Sequence, residues 1–306
     1  MANNFDSNFT RKLAKVFLDK FESERVLSKN VNTQLLSGKF GSDTGDTVDF
    51  KRPTDYTSKR TSAGDISGGT RDSIITGKAS GTVQDYFTVD VDFDEADEAL
   101  KMDQLDSLLA PMATRIKTDL ELDFGEFCLK NTALLSGAVG TGVTTWDHVA
   151  GAGAIMQASG VPMDQDWCYF ANPFTQRSLA SNQRSLGGET GSMSANQRAV
   201  ITDNFAGMKV MTATTLPSYT TGVGADRAGT LSGTPTATYL AAKDTMTMSI
   251  AVTAFQANLA VAAGETITVT GRNRLNLSTR KPIVDETGAQ ILFSGTVTAA
   301  VTLNGS

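Results

Sequence analysis

Residues 111–130, PMATRIKTDLELDFGEFCLK, carry the most regular pattern in the chain. Apolar residues recur there every three to four positions, which predicts one long amphipathic helix with a lead-in from Asp103. Pro111 fits the first turn of the longer helix, where its missing N–H costs nothing. The apolar stripe comprises Leu105, Leu108, Leu109, Met112, Ile116, Leu120, Phe124, Phe127 and Cys128. We expect this helix to be a spine on which other elements pack.

A long polar loop precedes the spine helix. Residues 38–84 are dense in Gly, Ser, Thr and Asp, with short strand-like islands at Thr47–Phe50 and Ile74–Thr76. Apolar and acidic side chains then alternate over Tyr86–Asp94, which predicts a strand. Together these segments predict an open two-stranded hairpin that extends away from the rest of the protein. Because a lone hairpin is marginal in water, something else must hold it in place.

Charge is distributed unevenly along the chain. Residues 9–27 predict an amphipathic helix whose polar face is locally basic, either a solvated surface or a docking arm. Nine acids and one lysine occupy residues 85–106, whereas the polar loop is rich in cations. This asymmetry is compatible with head-to-tail pairing of copies and equally with pairing inside one chain. The candidate contact residues are Lys51, Arg52, Lys59, Arg60, Asp90, Asp92 and Asp94.

The remainder of the chain divides into two parts. Helical patterns at Trp146–Ala158 and Phe174–Leu186 alternate with strand patterns at 167–173 and 207–214, which indicates an α/β or α+β body. From about Gly222 the composition becomes rich in Thr, Val and Ala without helical period, which predicts an all-β module. Its strand-like segments are Thr245–Phe255, Glu265–Thr270 and Ile291–Leu303.

Composition excludes several classes of protein. The 306 residues are enough to bury a core, and 27 basic against 33 acidic residues give a net charge of −6. A protein with this net charge is not expected to bind nucleic acid by phosphate neutralisation alone. Two cysteines and one histidine exclude a disulfide framework and a zinc site of Cys and His. No secretory leader and no membrane span is predicted, so the expected place of synthesis and assembly is the cytoplasm.

Motifs for catalysis, cofactors and metals are lacking. His148 could in principle serve Cys168 or Cys128 in a hydrolase, but neither cysteine lies in a nucleophile motif. Asp90, Asp92 and Asp94 imitate the start of a calcium loop, which then fails at its sixth and twelfth positions. We therefore expect no catalytic residue, no cofactor and no metal, and favour a structural protein. The Thr-rich β segments leave a tail-fibre or surface component as an alternative.

A series of short segments occurs in an order known from one family. These segments are Asp6-Ser7-Asn8, Thr44-Gly45-Asp46, Phe50-Lys51-Arg52-Pro53, Gly64-Asp65-Ile66-Ser67-Gly68, Ile75-Thr76-Gly77-Lys78-Ala79, Leu109-Ala110-Pro111, Arg115-Ile116, Thr118-Asp119-Leu120-Glu121 and Asn204-Phe205-Ala206-Gly207. Their order across most of residues 1–222 resembles the major capsid (coat) proteins of short-tailed double-stranded DNA bacteriophages. The resemblance is to the branch whose Hong Kong 97-type α+β fold carries an inserted β domain.

The resemblance implies a role for each segment. Residues 1–37 would be an N-terminal arm, 38–93 an extended loop lying over a neighbouring subunit, 94–144 a peripheral domain with the spine helix, 145–222 an axial domain and 223–306 an incomplete inserted β domain. The implied function is non-enzymatic self-assembly into an icosahedral shell, in the virion. The implied partners are copies of the chain in hexamers and pentamers, a scaffolding protein, a portal and DNA bound without sequence-specific contacts, with no membrane.

The chain also departs from that family at its end. Relatives continue past the position of Asn304-Gly305-Ser306 and return to complete the axial and peripheral domains. The resemblance therefore predicts either a fragment or a truncated gene. We expect that residues 1–306 alone close no shell, and regular empty shells in electron micrographs of the purified chain would contradict that.

Overall fold

The described chain mixes helices and strands, an α+β architecture. The computed structural model describes residues 15, 18, 25–31, 47–51, 56, 58–69, 71, 78–82, 85, 87–90, 105–163, 167–186, 197–199, 201–224, 226–235 and 247–304. Its helices are α1 (Leu105–Asn131), α2 (Trp146–Ala158) and α3 (Pro173–Leu186), with a 3₁₀ turn at Ser28–Asn30. Its strands are β1 (Thr47–Lys51), β2 (Lys78–Thr82), β3 (Cys168–Ala171), β4 (Asn204–Phe205), β5 (Met208–Thr212), β6 (Thr230–Leu231), β7 (Val252–Thr253), β8 (Leu259–Val261), β9 (Thr266–Asn273), β10 (Leu292–Thr296) and β11 (Val301–Leu303).

The chain forms two compact units. The first comprises Met1–Val31, Tyr86–Thr221 and Val261–Val301, and the second comprises Asn32–Asp85, Gly222–Ala260 and Thr302–Ser306. Residues 261–301 thus belong to the same unit as the spine helix. The boundaries of the five segments inferred from the sequence stay a prediction.

The core of the first unit lies between α2, α3 and a three-stranded sheet. The strand order is β3-β5-β4, with β3 parallel and β4 antiparallel to β5. Parallel strands need a crossover connection, and α3 lies in the chain between β3 and β5. The buried core residues are Val149, Leu179, Ala180, Ile201, Phe205 and Met208. The predicted strands at 167–173 and 207–214 and the two predicted helices are confirmed.

The spine helix is confirmed, but two of its predicted details are wrong. Helix α1 is continuous from Leu105, so Pro111 lies inside it and not in its first turn. From residue 110 to the end of α1, where burial is described, the buried residues are Ala113, Glu121 and Gly125, whereas Phe127 from the predicted apolar stripe is 62% exposed. Periodicity locates a helix, but the segments that pack against the helix decide which side chains become buried.

Strands β9 and β10 form an antiparallel hairpin that belongs to the first unit. They pair from Thr266 with Thr296, and a bulge shifts the register between Leu292 and Phe293. Strand β10 contacts α1. The predicted strand at Glu265–Thr270 is confirmed, and the pattern at Ile291–Leu303 is divided between β10 and β11.

The second unit contains the hairpin β1–β2. Its register pairs Thr47 with Thr82 and Lys51 with Lys78, and the Ser80 hydroxyl donates to Asp49 Oδ1 at 2.5 Å. The predicted strand at Thr47–Phe50 is confirmed, while Ile74–Thr76 lies outside the described residues. Strands β6 and β7 form a second antiparallel pair.

Two strand predictions fail where the structure can be compared with them. Residues 87–90 of the pattern at Tyr86–Asp94 are not in a strand, and residues 91–94 lie outside the described range. Of the segment Thr245–Phe255, only Val252–Thr253 forms a strand within the described part. Alternation describes a surface suited to a sheet, but a strand also needs a hydrogen-bonded neighbour, which local sequence does not reveal.

Candidate functional site

Two residues considered for catalysis, His148 and Cys128, lie on helices α2 and α1. The backbone N–H of Thr144 donates to His148 Nδ1 at 3.2 Å, at the start of α2. This hydrogen bond ties the residue before the N-cap, Thr144, to the first turn of α2. Burial raises the pKa of the Cys128 thiol, which disfavours the reactive thiolate. No group of three His, Cys, Asp or Glu residues that could hold a metal ion occurs among the described residues.

The candidate contact residues are distributed over both units. Lys51 ends β1, and Lys59 and Arg60 are exposed in the loop after it, all within the second unit. Asp90 is exposed and belongs to the first unit. The other three predicted contact residues, Arg52, Asp92 and Asp94, lie outside the described residues. The seven residues therefore form no single site within one unit.

The described part of the loop between β1 and β2 is exposed and contains hydrogen-bonded turns. Every described side chain from 56 to 71 is exposed. Asp65 Oδ1 accepts the Ser67 N–H at 2.9 Å, and the Gly69 N–H donates to the Ile66 carbonyl at 3.2 Å. Hydrogen bonding by Ser67 lowers the pKa of Asp65. These turns present Ile66 to solvent with 68% of its surface exposed.

A buried carboxylate fixes the segment before the loop to the spine helix. Glu121 on α1 is completely buried. Its oxygens accept the Leu27 N–H at 2.6 Å, the Ser28 N–H at 3.0 Å and the Ser28 hydroxyl at 2.5 Å. Burial raises the pKa of Glu121, but these hydrogen bonds outweigh burial and hold it below its ordinary value. The ionised carboxylate thus holds residues 25–31 against α1. We call the Glu121 carboxylate, with its hydrogen bonds to Leu27 and Ser28, the Glu121 anchor.

A glycine one turn along α1 allows close packing beside the Glu121 anchor. A Cβ atom on Gly125 would lie 2.9 Å from Pro217 Cδ and 3.7 Å from Leu27 Cδ1. Ring atoms of proline cannot swing aside as a flexible side chain can, so any larger residue would force the segments apart. Glu121 and Gly125 therefore share one face of α1, four residues apart, that holds two distant segments.

A second polar contact joins the β hairpin to the segment that follows α1. Arg274 Nη2 donates to the carbonyl oxygens of Ala133 and Ser294, each at 2.5 Å, and the guanidinium lies 5.4 Å from the Phe293 ring centroid. The Ser294 hydroxyl also donates to the Ala133 carbonyl at 3.1 Å. Ala133 lies two residues after the last residue of α1, so these hydrogen bonds hold the hairpin against the segment that follows the helix. Desolvation lowers the pKa of Arg274.

Sequence patterns identified neither polar contact. By residue type alone, Glu121 is like the other acids of the helix. Its hydrogen-bond partners lie 93 and 94 positions earlier in the chain. Arg274 lies 141 positions from Ala133. No helix within the described ranges is long and apolar enough to cross a membrane.

Comparison with known proteins identifies the family. A model of the family described as P22 coat protein, gene protein 5, matches residues 1–304. The chain is 34% identical over 300 residues to the major capsid protein of Acyrthosiphon pisum secondary endosymbiont phage 1. That alignment covers 97% of this chain and 70% of the relative. A match along nearly the whole chain cannot come from one shared motif. The chain therefore belongs to the P22 coat protein family, and the resemblance to phage coat proteins seen in its sequence is confirmed.

Proposed function

We propose that the chain is a major capsid subunit that assembles with a scaffolding protein into an icosahedral shell around double-stranded DNA. Membership of a coat protein family makes it a structural component of the virion. The scaffolding protein, the portal through which DNA enters and the packing of subunits as hexamers and pentamers are parts of the proposal. A fold of the Hong Kong 97 type, with an inserted β domain in residues 223–306, is a further part.

The observation that carries this proposal is the exposed hairpin β1–β2. Among the described residues, β1 and β2 pair only with each other. All the described side chains of the intervening residues 56–71 are exposed. A two-stranded hairpin is marginally stable alone in water and gains stability when another surface covers it. A neighbouring subunit in a shell would supply that surface.

Sedimentation of the protein from its phage source tests the proposal. We expect a fast-sedimenting particle whose main band contains the peptides of this chain. The same material, unfolded in urea before centrifugation, should move as single chains and so show that the particle is held by noncovalent contacts. A slow species of one-subunit mass in the untreated sample would contradict the proposed function.

The loop cations are proposed to contact acids on an adjacent copy. Lys59 and Arg60 are exposed in the second unit, and Asp85 and Asp90 are exposed as well. One exposed ion pair contributes only about 0–1 kcal/mol. Repetition at every subunit contact would make such pairs significant, and the attraction would steer association in a salt-dependent way.

Charge reversal at both loop cations is expected to slow assembly several-fold at low salt. The variant is Lys59→Glu with Arg60→Glu, and light scattering reports the assembly rate. The difference should vanish near 1 M salt, where the screening length is about 3 Å. The matched control is Lys209→Glu, an exposed cation on β5, which should assemble at the normal rate. Equal rates for the double variant and the unmodified chain at low salt would refute the contact.

A further inference from the structure

The last carbonyl group of α2, that of Ala158, receives no hydrogen bond from the residues that directly follow it. The N–H groups of the next three residues donate to earlier carbonyls of α2, at 2.9–3.1 Å. With Gly160 at φ +94°, this is the Schellman ending of a helix. The fourth residue is Pro162, which has no N–H. The Ala158 carbonyl therefore needs a donor from elsewhere in the chain.

Asn276, in the loop between β9 and β10, supplies that donor. Its Nδ2 donates to the Ala158 carbonyl at 2.6 Å, across 118 positions of sequence. The next residue, Leu277, donates its N–H to the carbonyl of Ser159 at 3.1 Å. Two consecutive residues of one loop thus cap the C-terminal end of α2.

The loop itself fixes the orientation of Asn276. Its Oδ1 accepts the N–H groups of Ser278 and Thr279, each at 2.9 Å. Its backbone N–H donates to the Lys281 carbonyl at 2.9 Å, and its backbone carbonyl accepts the Arg280 N–H at 3.0 Å. Because the side-chain oxygen is held by the loop, the amide nitrogen is the atom directed to the end of α2.

The same hairpin is bound to the segment that follows the spine helix. Arg274 Nη2 donates to the Ala133 carbonyl at 2.5 Å, and the Thr296 hydroxyl donates to the Thr132 carbonyl. Residues 274–277, which we call the strap, therefore contact the segment after α1 at one end and the last turn of α2 at the other. All these residues belong to the first unit.

The covalent connection between α1 and α2 is poorly suited to fix the two helix ends. Every residue from 136 to 142 is exposed, and three of the seven are glycines. Gly137 and Gly140 have positive φ angles of +82° and +83°. Exposed glycine-rich segments have many accessible backbone conformations and behave as flexible linkers. A noncovalent tie is needed to hold the ends of α1 and α2 together.

We propose that the strap, with Asn276 as its positioning residue, sets the placement of the end of the spine helix relative to the end of α2. The strap holds α2 by two hydrogen bonds at the helix end, so it can detach while Val149 and Leu179 stay packed in the core. It is thus a conformational device in which one loop controls the relative position of two helices. The inference concerns the subunit alone and does not rest on the proposed function.

Spin labels at the two helix ends test the strap. One label is attached to Cys128, which is exposed on α1, and the other to Gln157→Cys, at an exposed position of α2. All variants share a Cys168→Ala background, and tryptophan fluorescence confirms that each is folded. Electron spin resonance then gives the distribution of distances between the labels.

Asn276→Asp is the decisive variant. It keeps the oxygen that accepts from Ser278 and Thr279, but it replaces the donor to Ala158 by a second oxygen. We expect the distance distribution to broaden about twofold, and the Leu277 amide hydrogen to exchange with deuterium about tenfold faster. An unchanged distribution would overturn the proposal.

Two controls separate the strap from other effects. Asn273→Asp makes the same chemical change three residues earlier, where the partner is the Gln290 side chain, which can turn its own amide to donate. A short Gly-Ser insertion after Gly140 lengthens the covalent connection. Both should leave the distance distribution as in the unmodified chain. Broadening by the insertion equal to that in Asn276→Asp would show that the connection fixes the helices, and equal broadening in Asn273→Asp would show that any charge in the hairpin suffices; either result overturns the proposal.

Discussion

Replacement of Glu121 by alanine is expected to lower the free energy of unfolding by about 3 kcal/mol, because it leaves buried donors without an acceptor. The donors are the backbone N–H groups of Leu27 and Ser28 and the Ser28 hydroxyl. Both tryptophans, Trp146 and Trp167, lie in the same unit as Glu121, so their fluorescence during urea unfolding reports on that unit alone.

Local detachment of residues 25–31 should accompany this loss of stability. Lys29 is exposed within that turn, so tryptic cleavage after Lys29 should become faster in the Glu121→Ala variant. The control is Asp123→Ala, which removes an exposed carboxylate two residues away on the same helix. That change should alter stability by no more than about 0.5 kcal/mol. Equal losses from the two variants would show that the Glu121 anchor contributes nothing specific.

The Glu121 anchor should also depend on pH with a defined sign. Its folded-state pKa lies below the ordinary value of 4.5, so its ionised form contributes stability above about pH 4.5. That contribution is lost as the pH falls from 4.5 through the lower folded-state pKa. Glu121→Gln removes the titrating group, and the stability difference between it and the unmodified chain should therefore shrink on acidification. A difference that stays constant down to full protonation would contradict the assignment.

Leu179→Ala is expected to destabilise the first unit by about 3 kcal/mol, through lost burial and the cavity left behind. Leu179 on α3 is completely buried and packs in the core that contains Val149 from α2 and Met208 from β5. The loss should appear as a lower urea midpoint with an unchanged slope, again followed by tryptophan fluorescence.

A variant that conserves side-chain volume distinguishes the effect of the cavity from the effect of substituting residue 179 at all. Leu179→Met keeps most of the side-chain volume in a flexible form and should cost less than about 1.5 kcal/mol. Assembly is expected to follow subunit stability, so the alanine variant should yield fewer particles at higher temperature than the methionine variant. If both variants unfolded at the same urea concentration, the packing at Leu179 would not be the source of stability.

Local sequence predicted those elements whose hydrogen bonds and patterns are local. The helix at 146–158 and the spine helix follow from periodicity, because intrahelical bonds join residues four positions apart. The strand predicted at 86–94 failed over residues 87–90, because a strand depends on a neighbour that its own pattern does not specify.

Less of the candidate site than of the fold could be predicted from the sequence. The cations of the loop could be named, and Lys59 and Arg60 are indeed exposed. The Glu121 anchor and the Arg274 contact could not, since each joins groups more than 90 residues apart.

The sequence by itself determined that this chain is a phage coat protein with a long spine helix and no recognisable catalytic motif, because family-wide order and helical period are properties of the linear chain. Tertiary structure alone decided which face of that helix is buried. The stripe chosen by hydropathy leaves Phe127 exposed, while a carboxylate, Glu121, is completely buried. The physical reason is that burial of a charge becomes favourable only when distant backbone donors converge on it, and that convergence is made by the fold.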